Sequence, residues 1–537
     1  MARFLTAQEA GRLIKDRDTI LVSGFGWAGL CEEVFVTLER RFLETGNPRD
    51  LTAICPAAQS DGMGAGFQHL GHEGMVRRVI LGHWGLVPKL QKLAMESKIE
   101  AYCFPQGVLS IMCRDVAAKR PTITTVGLDT YVDPRQSGGR MNDCSPEDLV
   151  SLIHVDGQEM LHYKPFKPSI GFVRGTTADR SGNISMEREA LTLEMLAVAM
   201  AVRNSGGTVI AQVERISDEP LHSRSVTVPG LLVDAVVLTT DPKKYHWQTW
   251  GCPYDAAFSG EERVATRVPD TIPLNERKVI GRRALMEIKP GSVVNVGVGT
   301  SEAVFSVAIE ECVMDLLTPT VEAGHVGGLP CIGKDFGISV NSDAILDQPA
   351  MFDFYDGGGM DIAFLGMAQV DVEGNVNVSR FGGRIIGPGG FINISQNCKK
   401  LVLCGSFTAK GLRTRIADGR LEIESEGQVR KFVKSVEHIT FSGRRARKLG
   451  QSVLYVTERA VFELTPEGLE LIEIAPGIDL ERDVLGQMGF RPRMSHEPRL
   501  MDARYFKDEP VGYAAELKGS AGAMNAQEIE AVGGGAQ

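Results

Sequence analysis

A chain of 537 residues exceeds what one hydrophobic core organises, so two or more domains are expected, and 43% apolar residues are ample to build them. The net charge of −10 (pI near 5.6) argues against a nucleic-acid binder, which needs a dense positive face. Ten cysteines without a C-x-x-C pair and ten histidines without H-x-x-x-H spacing suggest neither a disulfide framework nor a metal site.

In chain order, the N-terminal MARFLTAQEAGRLIKDRDTI carries Arg3, Glu9, Arg12 and Lys15, which interrupt any apolar core of a secretory signal. No uncharged apolar run approaches the roughly eighteen residues that span a bilayer, so a soluble cytoplasmic protein with no membrane contact is expected. DTILVSGFGWAG (Asp18 to Gly29) then predicts a strand, a tight glycine turn and a helix. GFGWAG matches G-x-G-x-x-G, and Glu44 lies near where a ribose-binding acid would fall, so an NAD(P)-dependent oxidoreductase is one reading. The counterpart GSVVNVGVGTSE (Gly291 to Glu302) lacks the third glycine, which favours a plain strand-to-helix turn.

A second pair of segments keeps the same order. ADRSGNIS (Ala178 to Ser185) and VDVEGNVNVS (Val370 to Ser379) both carry D-x-x-G-N, with Gly-Asn as a hairpin turn signal. From each glycine to the next apolar run is 26 positions (182 to 208, 374 to 400), which implies two related α/β halves. The first half is longer between its landmarks, 158 positions (24 to 182) against 77 (297 to 374), so it holds an insertion at about 87–166. The expected division is an N-terminal domain 1–257, a polar, proline-bearing linker 258–278, a C-terminal domain 279–515 and a disordered tail 516–537.

LTPTVEAGHVGGLP (Leu317 to Pro330) sets one carboxylate, Glu322, among glycines and prolines. A glutamate can serve as covalent nucleophile on an activated acyl group if it stays ionised and preorganised donors meet the oxyanion. HVGGLP and FGGRIIGPGGF (Phe381 to Phe391) offer backbone N–H groups unshielded by a Cβ, although each alone also fits a structural turn. SGRRARKLG (Ser442 to Gly450) is read as a solvated loop, with a contact to cofactor phosphates as the alternative. Cys331 has no histidine near it in sequence but His325 and is not favoured as a nucleophile.

Together TVEAGHVGGLP, GPGGFINISQ, FYDGGGMDIAFLG (Phe354 to Gly366), the repeated D-x-x-G-N and SGFGWAGLCEE resemble the family I coenzyme A transferases. The resemblance is to the single-chain acetate/propionate/3-oxoacid type with fused alpha and beta halves, and it runs from about Phe4 to Tyr505. It implies two related α/β domains with the active site between them. It also implies CoA transfer from a short-chain acyl-CoA to a free carboxylate by ping-pong catalysis. Glu322, in Glu322-Ala323-Gly324, matches the family's nucleophile, which passes through a glutamyl-CoA thioester. The G-x-G-G loop matches Gly387-Pro388-Gly389-Gly390, with Gly389 and then Gly390 as oxyanion donors and Gln106 of Pro105-Gln106-Gly107 as a second donor. Gly324, Gly387 and Asn375 are carried over as CoA or substrate contacts. No permanently bound cofactor and no metal are implied, the CoA thioester being a substrate, and a homodimer or homotetramer is expected. V-E-A-G stands where two-subunit ketoacid enzymes carry S-E-N-G, which departs from an acetoacetate preference. An acyl-CoA hydrolase on the same frame differs only in whether water reaches the intermediate.

Overall fold

The computed structural model describes residues 2–265 and 271–517. The expected linker is therefore described only in part, and residues 518–537 of the expected tail lie outside. The ordered chain runs past Tyr513, whose buried hydroxyl donates to the carbonyl of Ile288 at 2.8 Å. Leu517 is buried in the second core and exposed Glu516 accepts from Arg504 Nη1 at 2.8 Å, so both are tied to the second half.

The first half is built on β1 (Arg3–Leu5), β2 (Thr19–Val22), β3 (Leu51–Cys55), β4 (Val76–Leu81), β5 (Glu100–Cys103), β6 (Ile170–Asp179), β7 (Thr208–Ser217) and β8 (Ala235–Leu238). They lie in the order β1-β8-β7-β6-β2-β3-β4-β5, every neighbour parallel. All ten residues of the central β6 are buried, as a strand covered on both faces requires. The second half uses β9 (Val293–Val296), β10 (Thr318–Thr320), β11 (Ile362–Gly366), β12 (Lys400–Cys404) and β13 (Ser452–Val456), in the parallel order β10-β9-β11-β12-β13. Strands Ala460–Thr465 and Gly468–Ile474 extend its sheet antiparallel.

The order β3-β2-β6-β7-β8 maps onto β10-β9-β11-β12-β13, so the halves share a topology. The equal spacing in sequence lands on the first residues of β7 and β12. The hairpins repeat to the atom. Asp179 Oδ1 accepts from Ser181 and Asn183 N–H, Asp179 Oδ2 from Asn183 Nδ2, and Asn183 Oδ1 from Gly230 N–H. Asp371, Glu373, Asn375 and Gly443 make the same four bonds. Gly182 (φ +84°) and Gly374 (φ +77°) occupy the left-handed position that each turn demands.

Of the expected insertion, only the three-stranded antiparallel sheet Thr122–Thr124, Val150–Val155 and Gln158–Tyr163 stands apart from the main layers. Helix Pro88–Met95, β5 and helix Gln106–Ala118 belong to the main α/β frame. The loop beyond Thr124 reaches the second half, where the Tyr131 N–H donates to Ile439 at 2.8 Å and its ring stacks on His438 at 4.1 Å. The basic stretch corrects the expected loop: Gly443–Leu449 is a helix capped by Ser442. Arg444 pairs with Asp129 and Arg447 with Glu373, so these cations are engaged by carboxylates of the protein itself.

Candidate active site

Strand β10 delivers Glu322. The chain turns at once after it: Gly324 N–H donates to Val321 O and Val321 N–H to His325 O, both at 2.9 Å. Gly324 sits at φ +132°, and a Cβ there would lie 2.2 Å from the Leu346 carbonyl oxygen. Only glycine closes this turn. His325 Nε2–H donates to Ala190 O at 2.8 Å, fastening the hairpin onto the first half.

Glu322 lines a cavity of about 460 Å³ between the halves. Both G-x-G turns face it, with Phe25 and Trp27 following β2, and Gly297 and Val298 following β9. His83, Gln106, Trp250, Phe336 and Gly387 to Phe391 complete most of the wall. The site thus opens at the carboxyl ends of the parallel strands, the usual ligand position in α/β sheets.

Glu322 is 7% exposed. Burial pushes its carboxyl up to about 7; its own backbone N–H and the Asn295 side chain offset this only in part, with no cation among the contributors. Asn295 Nδ2 is anchored on Thr320 O at 3.2 Å and faces the Tyr355 hydroxyl at 3.3 Å.

The glycine loop lies against the first half. Gly389, expected as the leading oxyanion donor, instead donates its N–H to Gly82 O at 2.8 Å, and its φ of +57°, with +77° at Gly387, turns the loop. Gly390 caps helix Phe391–Asn397, where the first N–H groups lack intrahelical acceptors, and a Cβ on it would stand 3.5 Å from Glu322 Cγ. Gln106 gives its backbone N–H to Gly389 O at 3.0 Å. Its side-chain Nε2 is buried with no hydrogen-bond partner, an orphan donor at the cavity wall. Gly387 lines the cavity and accepts from His83 Nδ1 at 3.3 Å; burial lowers the imidazole's pKa and keeps it neutral.

Two expected contacts are not brought to the cavity. Asn375 has both ends of its amide tied into its own hairpin, to Asp371 and Gly443, so the turn needs it as structure. Gly324 shapes the Glu322 turn and does not line the cavity. The dinucleotide reading fails on charge: buried Glu32 and Glu33 occupy the first turn of helix Glu32–Thr45, where a pyrophosphate would sit, and Glu44 is exposed near its far end. Burial pushes the Cys331 thiol up to about 12, which keeps it protonated.

Sequence reasoning missed Asn295 and Arg174. Asn295 is the lone polar residue of VVNV, and Arg174 is the lone cation of the fully buried IGFVRGTTAD; those isolations were the available signal. Arg174 is fully buried; it pairs with Glu189 and donates to the carbonyls of Trp27 (3.1 Å) and Leu30 (3.2 Å), fixing the first G-x-G turn. Burial alone would raise Glu189, but Arg174 and His246 hold it down at about 2.

A profile of the coenzyme A transferase family matches residues 4–239. The chain is 47% identical over 516 residues to the caffeate CoA-transferase of Acetobacterium woodii, covering 95% of this chain and 98% of that one. It is 44% identical over 512 residues to the acetate CoA-transferase YdiF of Escherichia coli strain K12, covering 95% and 96%. Among solved structures, the thioester complex with CoA of acyl-CoA transferase YdiF from E. coli O157:H7 matches with a TM-score of 0.90 at 43% identity, covering 95% of this chain and 97% of that one. With such relatives over nearly its whole length, the chain belongs to the coenzyme A transferase family.

Proposed function

We propose that the protein moves CoA from an acyl-CoA to a free carboxylate through covalent attachment of CoA to Glu322. The observation that carries this is a single buried carboxylate with no ion-pair partner among the described residues, in a mainly apolar cavity whose wall also carries an orphan amide donor. The Glu322 carboxylate attacks the thioester carbonyl, the C–S bond breaks, and CoA thiolate leaves a mixed anhydride. The thiolate then attacks the Glu322 carbonyl, the anhydride C–O bond breaks, the acid departs as carboxylate, and a glutamyl-CoA thioester remains. A second carboxylate reverses these steps, and no net proton is consumed. Gln106 Nε2 and Gly390 N–H are the donors offered to the oxyanions. The apolar walls limit water, which would otherwise divert the intermediate to hydrolysis.

The substrates in this reading are short-chain acyl-CoA thioesters and short-chain carboxylates of the acetate, propionate, butyrate or 3-oxoacid class. A second reading, a bulkier aromatic acid, is favoured by the wall of Phe25, Trp27, Trp250, Phe336, Phe381 and Phe391 and by similarity to a relative named for caffeate. A homodimer or homotetramer in the cytoplasm completes the proposal, with light scattering and cell fractionation as its checks.

The deciding experiment incubates the protein with propionyl-CoA without acceptor and follows intact mass and peptide mapping. A CoA adduct on the Glu322 peptide, absent in Glu322→Ala, is expected. Steady thioester loss independent of acceptor, with no adduct, would indicate hydrolysis, and transfer retained in Glu322→Ala would defeat the mechanism. Initial rates with acetate, butyrate and a cinnamate-type acceptor separate the two substrate readings.

A further inference from the structure

Helix Phe391–Asn397 begins directly after the Gly387 to Gly390 loop, and its third residue, Asn393, is fully buried against the first half. Both ends of its amide are assigned. Nδ2 donates to the two carboxylate oxygens of Asp356, each at 3.0 Å, and Oδ1 accepts the N–H of Gly107 at 3.1 Å. Asn397 Nδ2 adds a further bond to Asp356 at 3.0 Å. Burial pushes the Asp356 carboxyl up to about 7, and both of its oxygens accept from Asn393 Nδ2, which leaves the Asn393 oxygen to face the Gly107 N–H. The close approach needs glycine, since a Cβ on Gly107 would lie 2.4 Å from Phe352 Cδ1 and 2.5 Å from Asn393 Nδ2.

Gly107 immediately follows Gln106, so consecutive N–H groups at the start of helix Gln106–Ala118 are held by Gly389 O and Asn393 Oδ1. We propose that Asp356 and Asn393 are positioning residues for the reaction: through Gly107 they fix the helix start and hold the Gln106 side chain over the glycine loop. Among the described residues Nε2 has no hydrogen-bond partner, so the side chain's place depends on the backbone that carries it. An oxyanion donor has to meet the developing charge at about 2.7–3.1 Å, and a displacement of about 1 Å costs on the order of a hundredfold in rate. The inference rests on the reading of Gln106 as an oxyanion donor.

The test is a double-mutant cycle on single-turnover formation of the CoA adduct on Glu322, with CoA affinity measured alongside. Asn393→Ala is expected to slow adduct formation by about 10–100-fold while the Kd for CoA changes less than about threefold. Gln106→Ala/Asn393→Ala is expected to be no slower than Gln106→Ala alone, because Asn393 acts through Gln106. Asp356→Asn, nearly isosteric, supplies the same cycle if Asn393→Ala fails to fold. Losses that multiply in the double variant, or parent rates in the single variants at Asn393 and Asp356, overturn the positioning role while leaving Gln106 as donor. A parent rate in Gln106→Ala overturns both.

Discussion

The backbone N–H of Gln106 donates to the carbonyl of Gly389 at 3.0 Å, while the N–H of Gly389 donates to Gly82 at 2.8 Å. These two bonds tie the loop after β4 and the start of helix Gln106–Ala118 to the glycine loop of the second half, leaving Gln106 Nε2 unpaired at the cavity. Removing one preorganised donor typically costs about 10²–10³ in rate. Gln106→Ala is therefore expected to lower the rate of CoA-adduct formation on that scale with little change in CoA affinity, read by quenched-flow mass spectrometry.

The buried carboxyl of Glu322 sets a pH dependence. Only the ionised form attacks, and burial holds its pKa up at about 7. kcat/KM is expected to rise about tenfold per pH unit up to about pH 7 and to level off above it. A profile flat down to pH 5.5, taken with a substrate whose chemistry limits the rate, would contradict this assignment.

The same burial costs stability. A carboxyl whose folded pKa lies above its unfolded value contributes stability that is full below about pH 4.5 and is lost as pH rises through about 7. Glu322→Gln removes the charge without changing shape. At pH 8 it is expected to be more stable than the parent, by up to about 3 kcal/mol, since each pKa unit is about 1.36 kcal/mol. At pH 4.5 the difference is expected to vanish. Urea denaturation at both pH values measures the gap.

The duplicated frame was legible because it rests on local signals. β-branched runs ending in G-x-G and two D-x-x-G-N turns at equal spacing follow from backbone geometry that only glycine and Asx residues supply, and the sheets bear them out. The tight turn that carries Glu322 was legible from its glycine flanks. The direction of a single N–H was not: the turn at Gly389 points its donor at Gly82, 307 positions earlier in the chain (389 − 82), and no periodicity encodes such a contact. Asn375 misled for a related reason. Its motif is needed by the hairpin in both halves, so its presence says nothing about a ligand.

Gly324→Ala tests the turn that presents Glu322. With φ at +132° and the Leu346 carbonyl 2.2 Å from the added methyl, the hairpin has to open. Loss of about 2–4 kcal/mol and of adduct formation together are expected, from strain and a steric clash at one position. Thermal denaturation paired with the adduct assay checks both; a stable, active variant would show that the turn tolerates another backbone path.

Arg174 separates stability from substrate binding. Its guanidinium both neutralises buried Glu189 and holds the carbonyls of Trp27 and Leu30, so Arg174→Met leaves an uncompensated buried carboxylate beside a loosened cavity wall. Breaking such a pair costs about 3–5 kcal/mol. Adding Glu189→Gln removes the stranded charge yet keeps an oxygen for His246, which now pairs with Glu189 at 2.9 Å. The double variant is expected to recover most of the stability, measured in urea. It cannot restore the two carbonyl anchors, so KM for the acyl-CoA is expected to stay raised several-fold. If KM returns together with stability, the wall formed by Phe25 to Ala28 holds its shape without Arg174, and the buried pair serves the fold alone.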